Sequence, residues 1–108
     1  MRLQLTPPAL FELLLRAHGI VGYEAEYRFC QRRWRLDYAF LATESRLYDV
    51  ALEIDEETAH GRWYKQTQDR QKHNAAVVLG WRLLRFSGAM LRDDPDLCIA
   101  QLKQLLSC

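Results

Sequence analysis

The stretch RRWRLDYAFLATESRLYDVALEIDEE, residues 32–57, decides the fold class, because apolar and polar side chains alternate twice along it. Around Asp37 the apolar positions fall two residues apart; they are Trp34, Leu36, Tyr38 and Phe40. The segment 47–54 alternates in the same way and puts Glu53 on its polar side, with Asp55 two residues beyond. A period of two is typical of half-buried strands. The sequence therefore predicts consecutive strands that each carry an acidic residue.

These acidic residues predict a site for a hard divalent cation. Carboxylate oxygens are the ligands that Mg²⁺ and Mn²⁺ prefer in proteins. Glu53 and Asp55 lie on the same side of their strand, so both carboxylates can point into one space. The spacing of Asp37, Glu53 and Asp55 therefore indicates metal-assisted hydrolysis.

The flanking segments predict an α/β domain around these strands. Thr6 followed by two prolines is typical of a helix start, and Gly80 is typical of a helix end. In chain order, the predicted elements are a helix over about residues 7–18, strands over 23–30, 34–40 and 47–54, a helix over 66–78, a strand over 81–86 and a last helix after Pro95. The predicted order is α-β-β-β-α-β-α.

The composition fits one compact domain over residues 1–108. The chain is 49% hydrophobic, which provides enough apolar surface for a single core. The chain has three cysteines, an odd number, and they lack CxxC spacing; they are Cys30, Cys98 and Cys108. This favours a reduced, cytoplasmic environment over a disulfide framework. Charged residues interrupt the apolar run 7–20, so we interpret it as a helix, and nothing approaches the length of a membrane span.

The net charge of +1 is nearly balanced, but the charges are unevenly distributed. Acidic residues crowd 53–57, and arginines crowd another stretch; these are Arg28, Arg32, Arg33 and Arg35. A metal-dependent phosphodiesterase needs such a separation, because cations suit phosphates and acids suit the metal. The four arginines are predicted phosphate contacts that position DNA without reading its sequence. The alternative is two solvated surface faces.

Further residues complete an ordered signature along the chain. It comprises Asp37, then Glu53-Ile54-Asp55, then Asp69, Lys72 and Asn74, then the segment 80–86. This signature resembles the PD-(D/E)XK nuclease superfamily over about residues 26–86. Within it, the chain is most similar to small phage and prophage endonuclease-like proteins and to relatives of the very short patch repair endonuclease. The resemblance implies a restriction-endonuclease-like core, with a four-stranded mixed sheet flanked by helices.

The resemblance also implies roles for individual residues. The metal, Mg²⁺ or Mn²⁺, would bind the scissile phosphate, lower the pKa of a bound water and offset charge on the leaving oxygen. Mg²⁺ needs only one or two protein carboxylates, so a sparse site suffices. The implied ligands are Asp37, Glu53 and the backbone carbonyl of Ile54, with Asp55 a further candidate and Glu26 or Glu24 the upstream acid.

The superfamily usually has a lysine two residues after the second acid, and Asp55 occupies that position here. In several branches the following helix supplies the lysine instead, which makes Lys72 the main candidate and Lys65 a weaker one. Lys72 would then orient or activate the attacking water. The alternative is a surface lysine paired with Asp69, one helical turn back.

A second departure follows directly in the chain. Related phage proteins carry a Gly-Gly pair where this sequence has Glu56-Glu57, and two glutamates repel phosphate unless a metal intervenes. His60 is predicted to act as a general base or to protonate the leaving group, as in the repair-endonuclease relatives. The alternative is an exposed loop histidine. A zinc site built on His60 and His73 lacks HExxH or Cys/His spacing.

Three hypotheses follow for the function. The leading one is a Mg²⁺-dependent endodeoxyribonuclease that hydrolyses branched or otherwise structured DNA in repair or recombination, as a homodimer that cuts two strands. The second is a catalytically weakened nuclease fold that binds nucleic acid, which the departures at Asp55 and Glu56-Glu57 favour. The third is a protein-interaction domain whose acidic loop meets a basic partner.

Overall fold

The computed structural model describes residues 4–55 and 63–107, with side chains described from Gln66 onward in the second range. In chain order, the elements are α1 (Pro7–Ala17), β1 (Glu24–Arg28), β2 (Arg35–Phe40), β3 (Val50–Asp55), α2 (Trp63–Val78), β4 (Arg82–Ser87), α3 (Gly88–Asp93) and α4 (Pro95–Leu106). The strands form one sheet in the order β1-β2-β3-β4. The first two pairings are antiparallel and the third is parallel. The predicted α/β class and four-stranded mixed sheet are therefore confirmed.

The predicted order of elements is wrong at one point, because the helix α3 follows β4 directly. Ser87 starts it: the Ser87 hydroxyl accepts a hydrogen bond from the backbone N–H of Met90 at 3.1 Å. Asp94 then ends α3 and caps α4, since its carboxylate accepts from the N–H of Leu97. The helix has only 6 residues, which is too short for a helical period to show in the sequence.

Strand β3 begins at Val50, later than the predicted start at residue 47. The residues before it form a turn that is closed by backbone hydrogen bonds. Asp49 ties this turn to the end of β2, since its carboxylate accepts from the N–H of Ala42 at 2.7 Å. Leu47 is left 82% exposed, so the apolar alternation there does not mark a buried strand face.

The sheet has a main apolar core on one face and a smaller core on the other. The main core is shared with α1, α3 and α4 and contains Phe11, Leu15, Tyr38, Phe40, Val50, Leu52, Ile54, Phe86, Leu91, Cys98 and Leu102. The smaller core is shared with α2 and contains Leu36, Ala39, Ala51, Ala76 and Trp81. Among the described side chains of α2, only Ala76 is buried, so this helix packs on the sheet through a narrow apolar contact. None of the described helices has the length and apolar character that crossing a membrane requires.

The predicted alternation along β2 is wrong at Leu36. This residue lies in the smaller core, whereas Tyr38 and Phe40 lie in the main core, and strict alternation would put all three on one face. The interruption falls at Asp37. The adjacent strand is irregular as well, since Glu26 has a φ of 54°, in the left-handed region that residues other than glycine seldom adopt. The strand pair is therefore distorted at the position of the predicted acidic site.

The sheet opens between β2 and β3 at the position of Asp37, where β2 is also irregular. Their ladder ends at Tyr38 and Leu52. The outer ladders continue, because β1 stays paired with β2, and β3 with β4, to the ends of these strands. We call this opening the fork. Asp37 and Glu53 are the next residues along β2 and β3, so the fork is where the two predicted carboxylates lie.

Candidate functional site

Asp37 and Glu53 face each other across the fork, and each carboxylate binds a backbone amide of the opposite strand. The N–H of Asp37 donates to Oε2 of Glu53 at 3.0 Å, and the N–H of Ile54 donates to Oδ2 of Asp37 at 2.8 Å. These bonds occupy two amides just beyond the point where the ladder between β2 and β3 ends. The structure thus brings the predicted acidic pair together, with Glu53 only 3% exposed and Asp37 half-buried.

Helix α2 brings Lys72 to the same place. The Lys72 ammonium lies 2.5 Å from Oε1 of Glu53 and donates to the backbone carbonyl of Arg35 at 3.0 Å. Ala76, one turn further along the helix, is buried in the smaller core and holds this part of α2 against the sheet. Lys72 therefore contacts Glu53 and the backbone of β2, while its catalytic role stays a prediction.

The carboxyl group of Glu53 titrates near neutral pH. Burial raises the pKa of Glu53 from 4.5 to about 7, and the negative charge of Asp37 adds to this rise. The bond to Lys72 and the backbone amide of Asp37 favour the charged form and oppose the rise. The charge of the Glu53 carboxyl group therefore changes around pH 7.

We expect Glu53 to make the free energy of unfolding fall as the pH rises from 4.5 to 7. The pKa of this residue is about 7 in the folded chain and 4.5 without the fold, so the folded state binds the proton more tightly. The resulting stabilisation is fully present below pH 4.5 and is lost as the pH rises through 7. Its size is about 3 kcal/mol, and denaturant unfolding at a series of pH values measures it.

Two matched variants test whether Glu53, rather than another titrating group, causes the decline in stability with pH. Glu53→Gln keeps an acceptor for the amide of Asp37 but removes the titration, so it should flatten the decline in stability over this range. Glu44→Gln, in an exposed turn, should leave the decline as it is. A decline of the same size in Glu53→Gln would show that other groups cause it.

Asp55 is bonded to Arg85 of β4. Nε and Nη2 of Arg85 donate to the two carboxylate oxygens at 3.1 and 2.6 Å. This bidentate bond raises the pKa of Arg85 further above its usual range, so the guanidinium stays charged. A cation thus lies on the adjacent strand, next to Asp55 and opposite Glu53. Sequence reasoning missed Arg85, because only the parallel register shows that it lies opposite Glu53.

The arginine-rich segment forms the turn between β1 and β2. Arg28 folds back on this turn, where its guanidinium donates to three backbone carbonyls at 2.6 to 3.3 Å. Arg32 lies over the ring of Trp34, 4.7 Å from its centroid. Arg33 and Arg35 are exposed. Arg28 therefore shapes the turn, while the other three arginines are carried on the surface next to the fork.

The remaining predicted residues are less closely tied to the acidic pair. Glu24 and Glu26 are exposed on β1, and neither takes part in the hydrogen bonds described at the fork. His60 and Glu56-Glu57 lie outside the described residues, as does the side chain of Lys65. The predicted role of His60 therefore stays a prediction.

The fork offers two carboxylate groups, and carboxylate oxygens are donors that a divalent metal such as Mg²⁺ binds. Across residues 4–55 and 63–107, no three or more His, Cys, Asp or Glu side chains are grouped to hold a metal ion. Mg²⁺, however, needs only one or two carboxylates and keeps several waters, so Asp37 and Glu53 suffice as protein ligands. Asp55, the further candidate ligand, is engaged by Arg85. Metal binding would also have to draw Glu53 away from Lys72, its partner at 2.5 Å.

Comparisons of the chain with family models, with curated proteins and with solved structures find no match. The resemblance to the nuclease superfamily therefore rests on the residues quoted above and stays a prediction. The same holds for the restriction-endonuclease-like form of the sheet.

Proposed function

We propose that this protein is a metal-dependent DNA endonuclease with its reaction centre at the fork. The observation that carries the proposal is the meeting of Asp37, Glu53 and Lys72 from three separate elements. A buried carboxylate whose pKa is about 7, with a second carboxylate and an ammonium beside it, is a costly arrangement for stability alone. Groups of this kind cluster at reaction centres more often than elsewhere in proteins.

Each group has a defined task in the proposed reaction. Asp37 and Glu53 would hold a divalent metal, which when bound supplies a more acidic water and offsets negative charge on the phosphate. The ammonium of Lys72 is held by Glu53 and by the carbonyl of Arg35, so it is directed into the fork rather than free to swing. There it would place a positive charge beside the phosphate and orient the attacking water.

The surface beside the fork suits a nucleic-acid backbone. Arg33 and Arg35 are exposed, and Arg32 is supported by the Trp34 ring. The carbonyl of Arg35 is itself bonded to Lys72, which joins the arginine-rich turn to the centre of the fork. These guanidinium groups would bind phosphates and set the position of the DNA without reading its bases.

The proposal is tested by incubating the purified protein with linear, supercoiled and four-way-junction DNA, each with Mg²⁺, with Mn²⁺ and with EDTA. We expect cutting of at least one substrate with metal and none with EDTA, because Asp37 and Glu53 act through the cation. Gel electrophoresis of the products measures this. Absence of metal-dependent cutting on all three substrates would rule out the endonuclease.

A second function, a nuclease fold that binds DNA without cutting it, is favoured by the pairing at Asp55. Arg85 occupies both oxygens of that carboxylate, and a backbone amide occupies one oxygen each of Asp37 and Glu53. The carboxylates thus already have structural partners. Binding of the same DNA substrates in EDTA, without cutting when metal is added, would identify this second function.

A further inference from the structure

The ladder between β1 and β2 is interrupted at one position, which is occupied by Glu26 and Asp37. Ala25 pairs with Tyr38, and the next pair of the ladder begins at Tyr27, so the position between them is skipped. The register leaves Glu26 directly across from Asp37. The interruption is therefore centred on the residue that brings the first carboxylate to the fork.

Both strands change face across this skipped position. On β2, Tyr38 lies in the main core and Leu36 in the smaller core. Tyr23, directly before β1, packs against the main core, whereas Tyr27 packs against the smaller core, its ring centroid 5.7 Å from that of Trp81. Strict alternation would put Tyr23 and Tyr27 on one face. The strand pair thus turns over as a unit.

The backbone of Glu26 accounts for the change of face. Its φ is 54°, and among the described residues it is the only one other than glycine with a positive φ. A side chain with a Cβ disfavours this left-handed region, so the conformation persists only where the surrounding structure holds it. The side chain of Glu26 is exposed, so its own burial does not explain the conformation. What the conformation changes is the course of the two strands.

The course of β2 determines the direction of the Asp37 carboxylate. Side chains of a regular strand stand roughly perpendicular to the sheet. The Asp37 carboxylate instead accepts from the backbone N–H of Ile54 at 2.8 Å, so it lies between the strands. If the ladder that pairs Tyr38 with Leu52 continued, Asp37 and Glu53 would form its next pair, and the Asp37 carboxylate would stand out from the sheet.

We propose that Glu26 is a positioning residue of the fork: its left-handed backbone turns the strand pair over at Asp37 and so lays the Asp37 carboxylate beside Glu53. The proposal rests on the proposed function and deepens it, because it names what sets the geometry of the reaction centre. This role needs the backbone of Glu26 and not its carboxylate. It therefore differs from the role of upstream metal ligand that the nuclease resemblance implies.

Two replacements of Glu26 remove the carboxylate and leave the left-handed conformation accessible. Glycine adopts a positive φ without a steric penalty, and asparagine tolerates it better than most other residues do. Glu26→Gly and Glu26→Asn should therefore cut DNA at a rate within about twofold of the unchanged protein. A metal ligand could not be replaced by glycine in this way.

Glu26→Ile is expected to have the opposite effect. A β-branched side chain favours the extended backbone of a regular strand and strongly disfavours the left-handed region. The Asp37 carboxylate should then leave the fork, and cutting should fall by at least about tenfold, because reacting groups tolerate little misplacement. Glu24→Ile makes the same exchange at an exposed position of the same strand that is regularly paired with Ala39, and it should change nothing.

Hydrogen exchange of the Ile54 amide, followed by NMR in EDTA without DNA, tests the position of Asp37 directly. Loss of a charged acceptor should make this exchange at least about tenfold faster in Glu26→Ile. It should stay unchanged in Glu26→Gly and Glu24→Ile. The amide of Leu102, buried in α4, serves as the reference that reveals a general loss of stability. If circular dichroism shows Glu26→Ile to be unfolded, Glu26→Ala, whose smaller side chain is less strained at positive φ, takes its place.

The results separate the role of Glu26 from the proposed function. Loss of cutting in Glu26→Gly would show that the carboxylate is needed and would overturn the positioning role. Unchanged exchange at Ile54 in folded Glu26→Ile would also overturn it, and the endonuclease would stand if metal-dependent cutting is seen. Faster exchange in Glu26→Ile without DNA cutting by the unchanged protein would reject the endonuclease and leave Glu26 as the residue that places Asp37.

Discussion

Asp37→Asn and Glu53→Gln are each expected to reduce metal-dependent DNA cutting by at least about a thousandfold, or about 4 kcal/mol, because each would remove a charged ligand of the proposed metal. Both replacements keep the acceptor oxygen that the opposite strand needs at the fork. The fold should therefore survive. The rate of cutting under single-turnover conditions measures the loss, and circular dichroism confirms the fold.

The controls for this prediction remove acidic charge elsewhere. Glu44→Gln, in an exposed turn, and Asp93→Asn, at the exposed end of α3, should cut at the rate of the unchanged protein. The two site variants should also show weaker Mn²⁺ binding by calorimetry. Retention of full cutting by either Asp37→Asn or Glu53→Gln would show that the fork is not the reaction centre.

Lys72→Met is expected to lower the rate of cutting by at least about a hundredfold, the usual contribution of a positioned proton-transfer or charge-stabilising group. The replacement also leaves Glu53 buried without its cation. Because Lys72 lowers the pKa of Glu53, its removal should move that pKa above 7. Cutting rates across a range of pH, together with NMR titration of the Glu53 carboxyl, measure both effects.

Folding of the Lys72→Met variant needs a separate check. Removing one partner of a buried ion pair costs about 3 to 5 kcal/mol when the other stays charged. Glu53 can take up a proton, so the variant should be more stable at pH 6 than at pH 8, and its metal binding can be assayed at the lower value. Lys103→Met, on the exposed face of α4, is the matched control. Unchanged cutting by folded Lys72→Met would show that the lysine is only structural.

Residue alternation predicted the elements that carry the site, and its failures have physical causes. The period of two along β3 shows in the sequence because Val50, Leu52 and Ile54 lie in the main core, whereas the alternate positions carry Ala51 and the acidic residues Glu53 and Asp55. The alternation failed at Leu36 because the backbone is irregular there, beside the left-handed Glu26. The helix α3 was missed because 6 residues give no period, although Ser87 before it is a usual capping residue.

Some residues of the site could be predicted from the sequence, whereas other contacts are visible only once the strands are paired in the fold. The resemblance to the nuclease superfamily predicts Lys72, since in several of its branches the following helix supplies the lysine, and in the structure this ammonium lies beside Glu53. The bond between Asp55 and Arg85 could not be predicted, since 30 residues separate the partners and only the parallel pairing of β3 with β4 joins them.

The fork has one consequence for how the molecule can be observed. Two backbone amides, those of Asp37 and Ile54, are bonded to the carboxylates of the acidic pair instead of to carbonyls of a neighbouring strand. An amide proton resonates further downfield when its acceptor is a charged carboxylate than when the acceptor is protonated. These two amide signals are therefore internal indicators of the charge on the pair, and they would report proton uptake by Glu53, arrival of the proposed metal and the loss of Lys72 without any added probe.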